Sequence, residues 1–187
     1  TSGYYYLTKD ISAPSNYTLS GNLWLDLNGH TITFTGSNSN AAFIVEGNYR
    51  WFDLYDSAGG GRIVESSSAT NYHRAVWVDG TGARFNMHGG TIDGFRSSYD
   101  GAGVYIKNGS MTMSGGTIQN CYAYADVGTN NGGGGGVYVN SGCTFTMYSG
   151  DIYNNTARLY GGGVFCYGTF NMSGGSIYSN TAGLDGG

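Results

Sequence analysis

The sequence predicts an all-β solenoid whose short strands stack in parallel, and three observations support this fold class. One phrase recurs along the chain: an apolar residue, any residue, then Met or Leu, with Ile five positions later. A second phrase of strictly alternating apolar residues precedes most of its copies. Gly or Asn interrupts every run, as expected where a chain turns. Coils of this kind cannot bury their apolar side chains alone, so neighbouring coils must close the core.

The first repeat has six copies and therefore predicts about six coils. Its Met or Leu positions are Leu27, Leu54, Met87, Met113, Met147 and Met172, and the copy that starts at Leu54 needs four extra residues to reach Ile63. Short corners lie inside most copies, written NGH, HGG, SGG, YSG and SGG. We expect the Gly of each corner to be required because the backbone adopts a positive φ there.

The second repeat begins with an apolar leader, and its period indicates strands. The leaders are spaced 33, 28, 33 and 27 residues apart and are Phe43, Val76, Val104, Val137 and Val164. A helix would place apolar residues at i, i+3 and i+4, whereas here they alternate with period two. We expect the leaders to form one vertical file inside the solenoid. The residues two positions further on should also face inward: Val45, Val78, Ile106, Val139 and Cys166.

A corner column and the cysteines complete the predicted core. Three positions after each later Ile come Phe95, Cys121, Asn155 and Asn180. Stacked Asn side chains can satisfy the buried amides of a turn, so we expect an Asn ladder at this corner. Cys121, Cys143 and Cys166 form no CxxC pair and have no His at metal-ligand spacing. They are interpreted as buried thiols rather than as a disulfide framework or a zinc site.

These motifs resemble a known family, the right-handed parallel β-helix proteins. The segment LDLNGHTI is similar to the opening rung of many pectate-lyase-like helices. The later segments IYNNTARLYGGGVF and IYSNTAGLDGG resemble repeats of chlamydial polymorphic outer-membrane proteins and other bacterial surface adhesins. The resemblance implies a right-handed parallel β-helix and a secreted or cell-surface bacterial protein. Such motifs specify architecture and say little about chemistry.

Composition bounds the domain organisation and the classes of partner. The 187 residues form one predicted domain, 1–187, with an irregular N-terminal capping segment at 1–22. The final LDGG repeats the lead-in to a further coil, so we expect the chain to continue into a longer protein with further domains. A net charge of −4 argues against a nucleic-acid partner. No apolar run is long enough for a membrane span, and no cofactor or metal is implied.

An outward row of rings is the leading candidate for a binding site. The position after each leader holds Ile44, Trp77, Tyr105, Tyr138 and Phe165. We call the last four residues the aromatic stripe and expect them to form a flat row along the solenoid. Small residues flank it and should leave a groove of bare backbone: Ala42, Ala75, Gly103, Gly136 and Gly163. Aromatic rings stack on the apolar faces of sugars, so the ligand-binding residues are predicted to be Trp77, Tyr105, Tyr138 and Phe165.

Two other interpretations of the aromatic stripe stay open. The loop at 120–134, or a neighbouring domain, can cover it. Aromatic columns also stabilise sheets without any ligand. Surface tyrosines at YYYL (4–7) and RLYGG (158–162) are a weaker sign of a recognition surface.

A second outward column carries charged groups and suggests an enzyme as the alternative. Glu46, Asp79 and Lys107 lead this column, two positions beyond the stripe. In the alternative interpretation they catalyse polysaccharide cleavage as a lyase or glycosidase, with Arg74 or His73 nearby. The simpler interpretation is a charge ladder in which Lys107 neutralises Asp79.

We therefore expect a non-catalytic, secreted or cell-surface bacterial module. Its predicted role is adhesion, with a glycan, polysaccharide or other host or cell-surface ligand as partner. A polysaccharide lyase or glycoside hydrolase is the first alternative. A structural spacer without a ligand is the second.

Overall fold

The protein is a parallel β-solenoid of about 5 turns. The computed structural model describes residues 2–36, 40–67, 73–124 and 132–187, and within these ranges all helix or strand assignments are β. All pairings between its strands are parallel, and each joins a strand to its equivalent in the next turn. The all-β fold class predicted from the repeats is confirmed, and the turn count is close to the six coils expected.

Each turn contributes one strand or part of a strand to each of three ladders. The first ladder contains β3 (Tyr17–Thr18), β6 (Ala41–Glu46), the first half of β9 (Arg74–Met87), the start of β12 (Val104–Gln119), β14 (Val137–Val139) and β17 (Val164–Cys166). The second contains β1 (Gly3–Tyr6), β4 (Leu23–Asp26), β7 (Trp51–Tyr55), the second half of β9, the middle of β12, the start of β15 (Thr144–Tyr153) and β18 (Thr169–Met172).

The third ladder and a short corner sheet close each turn. The third ladder contains β2 (Ile11–Ala13), β5 (Thr31–Phe34), β8 (Arg62–Glu65), β10 (Thr91–Asp93), the ends of β12 and β15, and β19 (Ser176–Tyr178). The corner sheet contains β11 (Arg96–Ser97), β13 (Tyr122–Ala123), β16 (Thr156–Ala157) and β20 (Thr181–Ala182). Within residues 1–22, predicted as a capping segment, β1, β2 and β3 extend all three ladders.

The five leaders form the single vertical file that the spacing predicts. Phe43 pairs with Val76, and the file continues through Val104 and Val137 to Val164. The middle three residues of this file are completely buried. Phe rings stack in the core beneath, with centroids 4.9 Å apart for Phe43 and Phe52 and also for Phe145 and Phe170. Sequence spacing has therefore become spatial adjacency, and equivalent residues pack on one another.

Positive φ occurs at the predicted corner glycines. Their φ angles are 79° at Gly29, 79° at Gly90, 84° at Gly116, 99° at Gly150 and 87° at Gly175. At Gly116 a Cβ would also lie 2.7 Å from the carbonyl oxygen of Gly90 and 2.7 Å from Cε of Met87. Gly is thus required there both by conformation and by the closeness of the turn below.

The predicted Asn ladder is present at the corner. The Asn155 carboxamide accepts a hydrogen bond from the Cys121 N–H at 2.9 Å and donates to the Ile118 carbonyl at 2.9 Å. One turn further on, the Asn180 side chain accepts from the Asn155 N–H and donates to the Ile152 carbonyl. Phe95 and Cys121 occupy the earlier positions and are buried.

Two predictions about the core are wrong in detail. Leu25, not Leu27, pairs with Leu54, because β4 ends at Asp26 and Leu27 turns into the corner. Leu27 is buried there, against positions where Gly61 and Gly90 carry no side chain. The same shift places Trp24, rather than Asp26, beside Asp53.

The second correction concerns the thiols. Cys121 and Cys143 are buried, and burial raises the pKa of both, to about 12 for Cys121. Cys166 was predicted to be a core thiol, but it is exposed. It belongs to the last strand of the first ladder, which pairs with β14 on one side alone among the described residues. A core position without a covering strand remains accessible.

Candidate functional site: the aromatic stripe

The aromatic stripe forms a continuous column on the outside of the first ladder. Register pairs Ile44 with Trp77, Trp77 with Tyr105, Tyr105 with Tyr138 and Tyr138 with Phe165. Neighbouring ring centroids are 6.3, 5.2 and 5.3 Å apart along this column. The structure therefore brings all four predicted ligand-binding side chains together. They point outward because the alternate residues in the same strands face the core.

The rings do not form the flat row that was expected. Successive ring planes are inclined by 41°, 63° and 43°. Tyr138 is only 8% exposed, whereas Trp77, Tyr105 and Phe165 are half-buried. Burial raises the pKa of the Tyr138 hydroxyl well above its usual range. Since edge-to-face packing is favourable between aromatic rings, the tilts lock the side chains against one another.

The expected groove of bare backbone beside the stripe is also absent from the described residues. Ala42, Ala75, Gly103, Gly136 and Gly163 are all buried. A Cβ at Gly103 would lie 2.8 Å from Cγ2 of Ile118, and the equivalent contacts at Gly136 and Gly163 involve Ile152 and Ile177. The three glycines leave no room for a side chain, because the next turn's backbone or corner Asn and the Ile column of the third ladder pack against them.

Arg74 covers one end of the stripe, and its role was missed by sequence reasoning. Its guanidinium carbon lies 5.6 Å from the Trp77 ring centroid, 4.7 Å from that of Tyr105 and 5.4 Å from that of Tyr99. Its Nε–H donates to the Asp100 carbonyl oxygen at 2.7 Å. Burial lowers the pKa of Arg74. The repeat offered one sign of this role. Arg74 stands in register with Ala41, so a long cationic side chain replaces a small one at the start of this strand.

Lys107 joins the stripe to the charged column. Its Nζ lies 5.4 Å from the centroid of the Trp77 ring and 2.8 Å from Oδ2 of Asp79. The hydrogen bond and the charge of Asp79 raise the pKa of Lys107. The predicted neutralisation of Asp79 by Lys107 is thus observed as an ion pair. Both groups remain partly exposed, so this pair contributes little to stability.

Two further tyrosines contact the opposite end. Tyr160 stacks on Phe165 with centroids 5.7 Å apart, and Tyr167 packs edge-on against Phe165 at 4.8 Å. Tyr167 also contacts Tyr138 at 6.1 Å. Tyr160 belongs to the RLYGG segment, whose surface tyrosine was noted from the sequence.

The loop that was considered as a cover lies partly outside the described residues. Residues 125–131 belong to that part of the chain. Gly133 is described, and a Cβ there would lie 3.0 Å from Cδ1 of Phe165. The Asp100 carboxylate holds this stretch by accepting from the Gly132 and Gly133 N–H groups at 2.8 and 2.9 Å. The end of the loop therefore lies against the stripe.

The charged column has a cavity of its own. Glu46 and Asp79 are paired in register, and both line a cavity of about 560 Å³ together with Arg50, Thr18 and Ser20. Lys107 reaches Asp79 from the next turn, where an irregularity shifts the register by one residue after Ile106. Arg74 does not line this cavity.

His73 also lies away from this cavity. It is completely buried, and its Nδ1 lies 2.9 Å from Oε1 of Glu65. Within the described part of the chain, no group of three or more His, Cys, Asp and Glu residues is arranged to hold a metal ion.

Comparison with protein-family models, curated proteins and solved structures found no match to this chain. The described residues contain no helix that is long and apolar enough to span a membrane.

Proposed function

We propose that this solenoid is a non-catalytic module of a secreted or cell-surface bacterial protein that binds a glycan or polysaccharide along the aromatic stripe, and that it serves in adhesion. The observation that carries the proposal is the column of four outward rings in consecutive turns. Stacked turns lie about 4.8 Å apart, so three steps give a surface roughly 14 Å long. An extended polymer suits a surface that repeats along one axis. Membership of the pectate-lyase-like superfamily is part of the same proposal.

The ligand contacts the half-buried rings and the polar groups beside them. Trp77, Tyr105 and Phe165 are each half-buried, and the ring surface that stays exposed can pack on the apolar C–H surface of a sugar. Lys107 and Asp79 supply a donor and an acceptor for sugar hydroxyls next to Trp77. Tyr138 supports the rings on either side rather than contacting the ligand, because little of it is exposed.

Retention on an array of bacterial, plant and animal glycans tests the proposal. We expect Trp77→Ala to lose retention on whichever glycan the unmodified protein binds, while its melting temperature falls less than that of Tyr138→Ala because Trp77 is only half-buried. Tyr178→Ala is the matched control, since Tyr178 is an exposed aromatic residue of the third ladder. Equal retention for the two variants would exclude the stripe as the binding surface. Lack of retention by the unmodified protein on any glycan would favour a spacer without a ligand.

A second candidate function is polysaccharide cleavage at Glu46, Asp79 and Lys107. The cavity of about 560 Å³ between Glu46, Asp79 and Arg50 favours it, because paired carboxylates beside a cleft are the arrangement that glycosidases use. The assay measures new reducing ends and the absorbance of unsaturated uronates over a panel of polysaccharides. Turnover that disappears in Asp79→Asn would replace the binding proposal with an enzymatic one.

A further inference from the structure

A cleft on the second ladder lies on a different face from the aromatic stripe. Its volume is about 400 Å³. The strand register places its lining residues in two columns. Tyr4 pairs with Trp24 in one column, and Tyr6, Asp26 and Tyr55 pair in sequence in the other. The remaining lining residues are Tyr5, Asp56, Ser57 and His88. Neither the proposed glycan-binding function nor its enzymatic alternative uses these residues.

The aromatic walls of the cleft are held in place by their own contacts. Tyr4 stacks on Trp24 with centroids 4.5 Å apart, and Trp51 packs edge-on against Trp24 at 5.7 Å. Tyr55 stacks on His88 at 4.5 Å with ring planes only 11° apart. The tyrosines nevertheless remain open to solvent, 80% for Tyr4 and 69% for Tyr6. Ordered, exposed rings around a cavity are typical of a recognition site.

The formal charge of the lining at neutral pH is negative. Asp26 and Asp56 lie among the lining residues, which include no Lys or Arg within the described chain. Oδ1 of Asp26 accepts hydrogen bonds from the Asn28 and Ser57 N–H groups at 2.8 and 2.9 Å. Burial acts to raise the pKa of Asp26, but hydrogen bonds from Ser57 and Asn28 outweigh it and lower the pKa. A negative carboxylate therefore faces this cleft at neutral pH.

We propose that this cleft binds a quaternary ammonium ion, such as the trimethylammonium group of choline. Aromatic faces attract organic cations through their quadrupoles, and the carboxylates complement the positive charge. An anionic ligand would be repelled by the charges of Asp26 and Asp56, because the described lining contains no Lys or Arg to neutralise them. A compact, rounded cation suits walls that stand around a cavity.

Calorimetric titration with choline tests the assignment, followed in parallel by fluorescence, since Trp24 lines the cleft and Trp51 packs against Trp24. We expect saturable binding by choline and by tetramethylammonium. Dimethylbutanol, the uncharged carbon isostere of choline, should bind much more weakly. Tyr4→Ala should weaken choline binding roughly 5- to 30-fold without lowering the melting temperature, because its ring is mostly exposed. Asp26→Asn keeps an acceptor for Asn28 and Ser57 and should weaken binding of choline but not of the isostere.

Trp77→Ala is the control on the other face and should leave choline binding unchanged. Cosedimentation with phosphatidylcholine vesicles identifies the source of the cation. Vesicle binding that is lost in Tyr4→Ala indicates a lipid head group. Choline binding without vesicle binding indicates a free small molecule. No saturable binding of either cation overturns the proposal. So does equal affinity for the uncharged isostere, or binding of a neutral oligosaccharide that Tyr4→Ala abolishes in place of the cation.

Discussion

At the scale of single residues, one buried carboxamide connects three turns of the corner. Asn155 is completely buried, so each polar atom there needs a partner. Its oxygen accepts from the N–H of Cys121 in the turn below, and its nitrogen donates to the carbonyl of Ile118 and to Oδ1 of Asn180 in the turn above. One side chain thus satisfies backbone groups that the corner would otherwise leave unpaired.

Asn155→Ala is predicted to destabilise the protein by roughly 2–4 kcal/mol, because it leaves a buried donor and a buried acceptor without partners. Chemical denaturation followed by circular dichroism measures the loss. Asn180→Ala is the control: Asn180 makes similar bonds but is only partly buried, so its free energy of unfolding should fall less. Equal losses of unfolding free energy in the two variants would mean that water does not hydrogen-bond the backbone groups that Asn180→Ala leaves unpaired.

A second single-residue prediction concerns Gly116→Ala. The change combines a positive φ of 84° with a Cβ placed 2.7 Å from the Gly90 carbonyl oxygen. We expect a loss of about 1–3 kcal/mol from conformation alone, and more from the contact. Gly142→Ala separates the two contributions, because Gly142 has a φ of 76° with no atom within 4 Å of a built Cβ. A similar drop in melting temperature for both variants would show that the close contact is harmless.

At the scale of elements, the stripe acts as one packed unit. Each ring contacts the ring of the next turn, and Tyr138 contacts Tyr105, Phe165 and Tyr167. A ring in that position contributes to stability through burial as much as through any ligand. Trp77, Tyr105 and Phe165 are each half-buried and keep the ring surface that solvent or a ligand can reach.

Tyr138→Ala is therefore predicted to destabilise the protein by about 3–5 kcal/mol, as truncation of a buried aromatic residue does. Trp77→Ala should cost much less. Tyr138→Phe preserves the ring and should restore most of the stability in thermal unfolding monitored by calorimetry. A Tyr138→Ala variant that melts like the unmodified protein would place Tyr138 on the surface, and the assignment of its supporting role would be wrong.

The column of rings could be predicted from the sequence, but the side chains that pack over the rings could not. In-register stacking converts equal positions in the repeat into neighbours, so Trp77, Tyr105, Tyr138 and Phe165 had to share a column. The tilts and the burial depend on side chains outside the repeated phrase, above all Arg74, Tyr99 and Tyr160. Long side chains of this kind reach across turns in directions that spacing along the chain does not specify.

At the scale of the whole molecule, the fold was predictable because each turn copies the same inward residues. Prediction failed where a turn departs from the copy, as at Leu27, which fills a corner beside glycines of later turns. It also failed at Cys166, which is exposed in the last described strand of the first ladder. The cleft on the second ladder was not predicted, because the repeat aligned Leu27, rather than Leu25, with Leu54 and so did not place Asp26 beside Tyr55.

In a stack of similar units each turn is stabilised by its neighbours, so protection should vary along the axis. Strands within β9 and β12 are paired on both sides, and their inward apolar residues are completely or almost completely buried. Met172 in β18 is 45% exposed, although the equivalent Met residues of earlier turns lie in the core. We expect hydrogen exchange, read by mass spectrometry, to be slowest in β9 and β12 and faster by at least about tenfold in β17, β18 and β19. Thiol labelling should show the same gradient, with Cys166 reacting in the native protein and Cys121 only after unfolding. Uniform exchange along the chain would mean that all turns unfold together, and the nearest-neighbour description of this solenoid would fail.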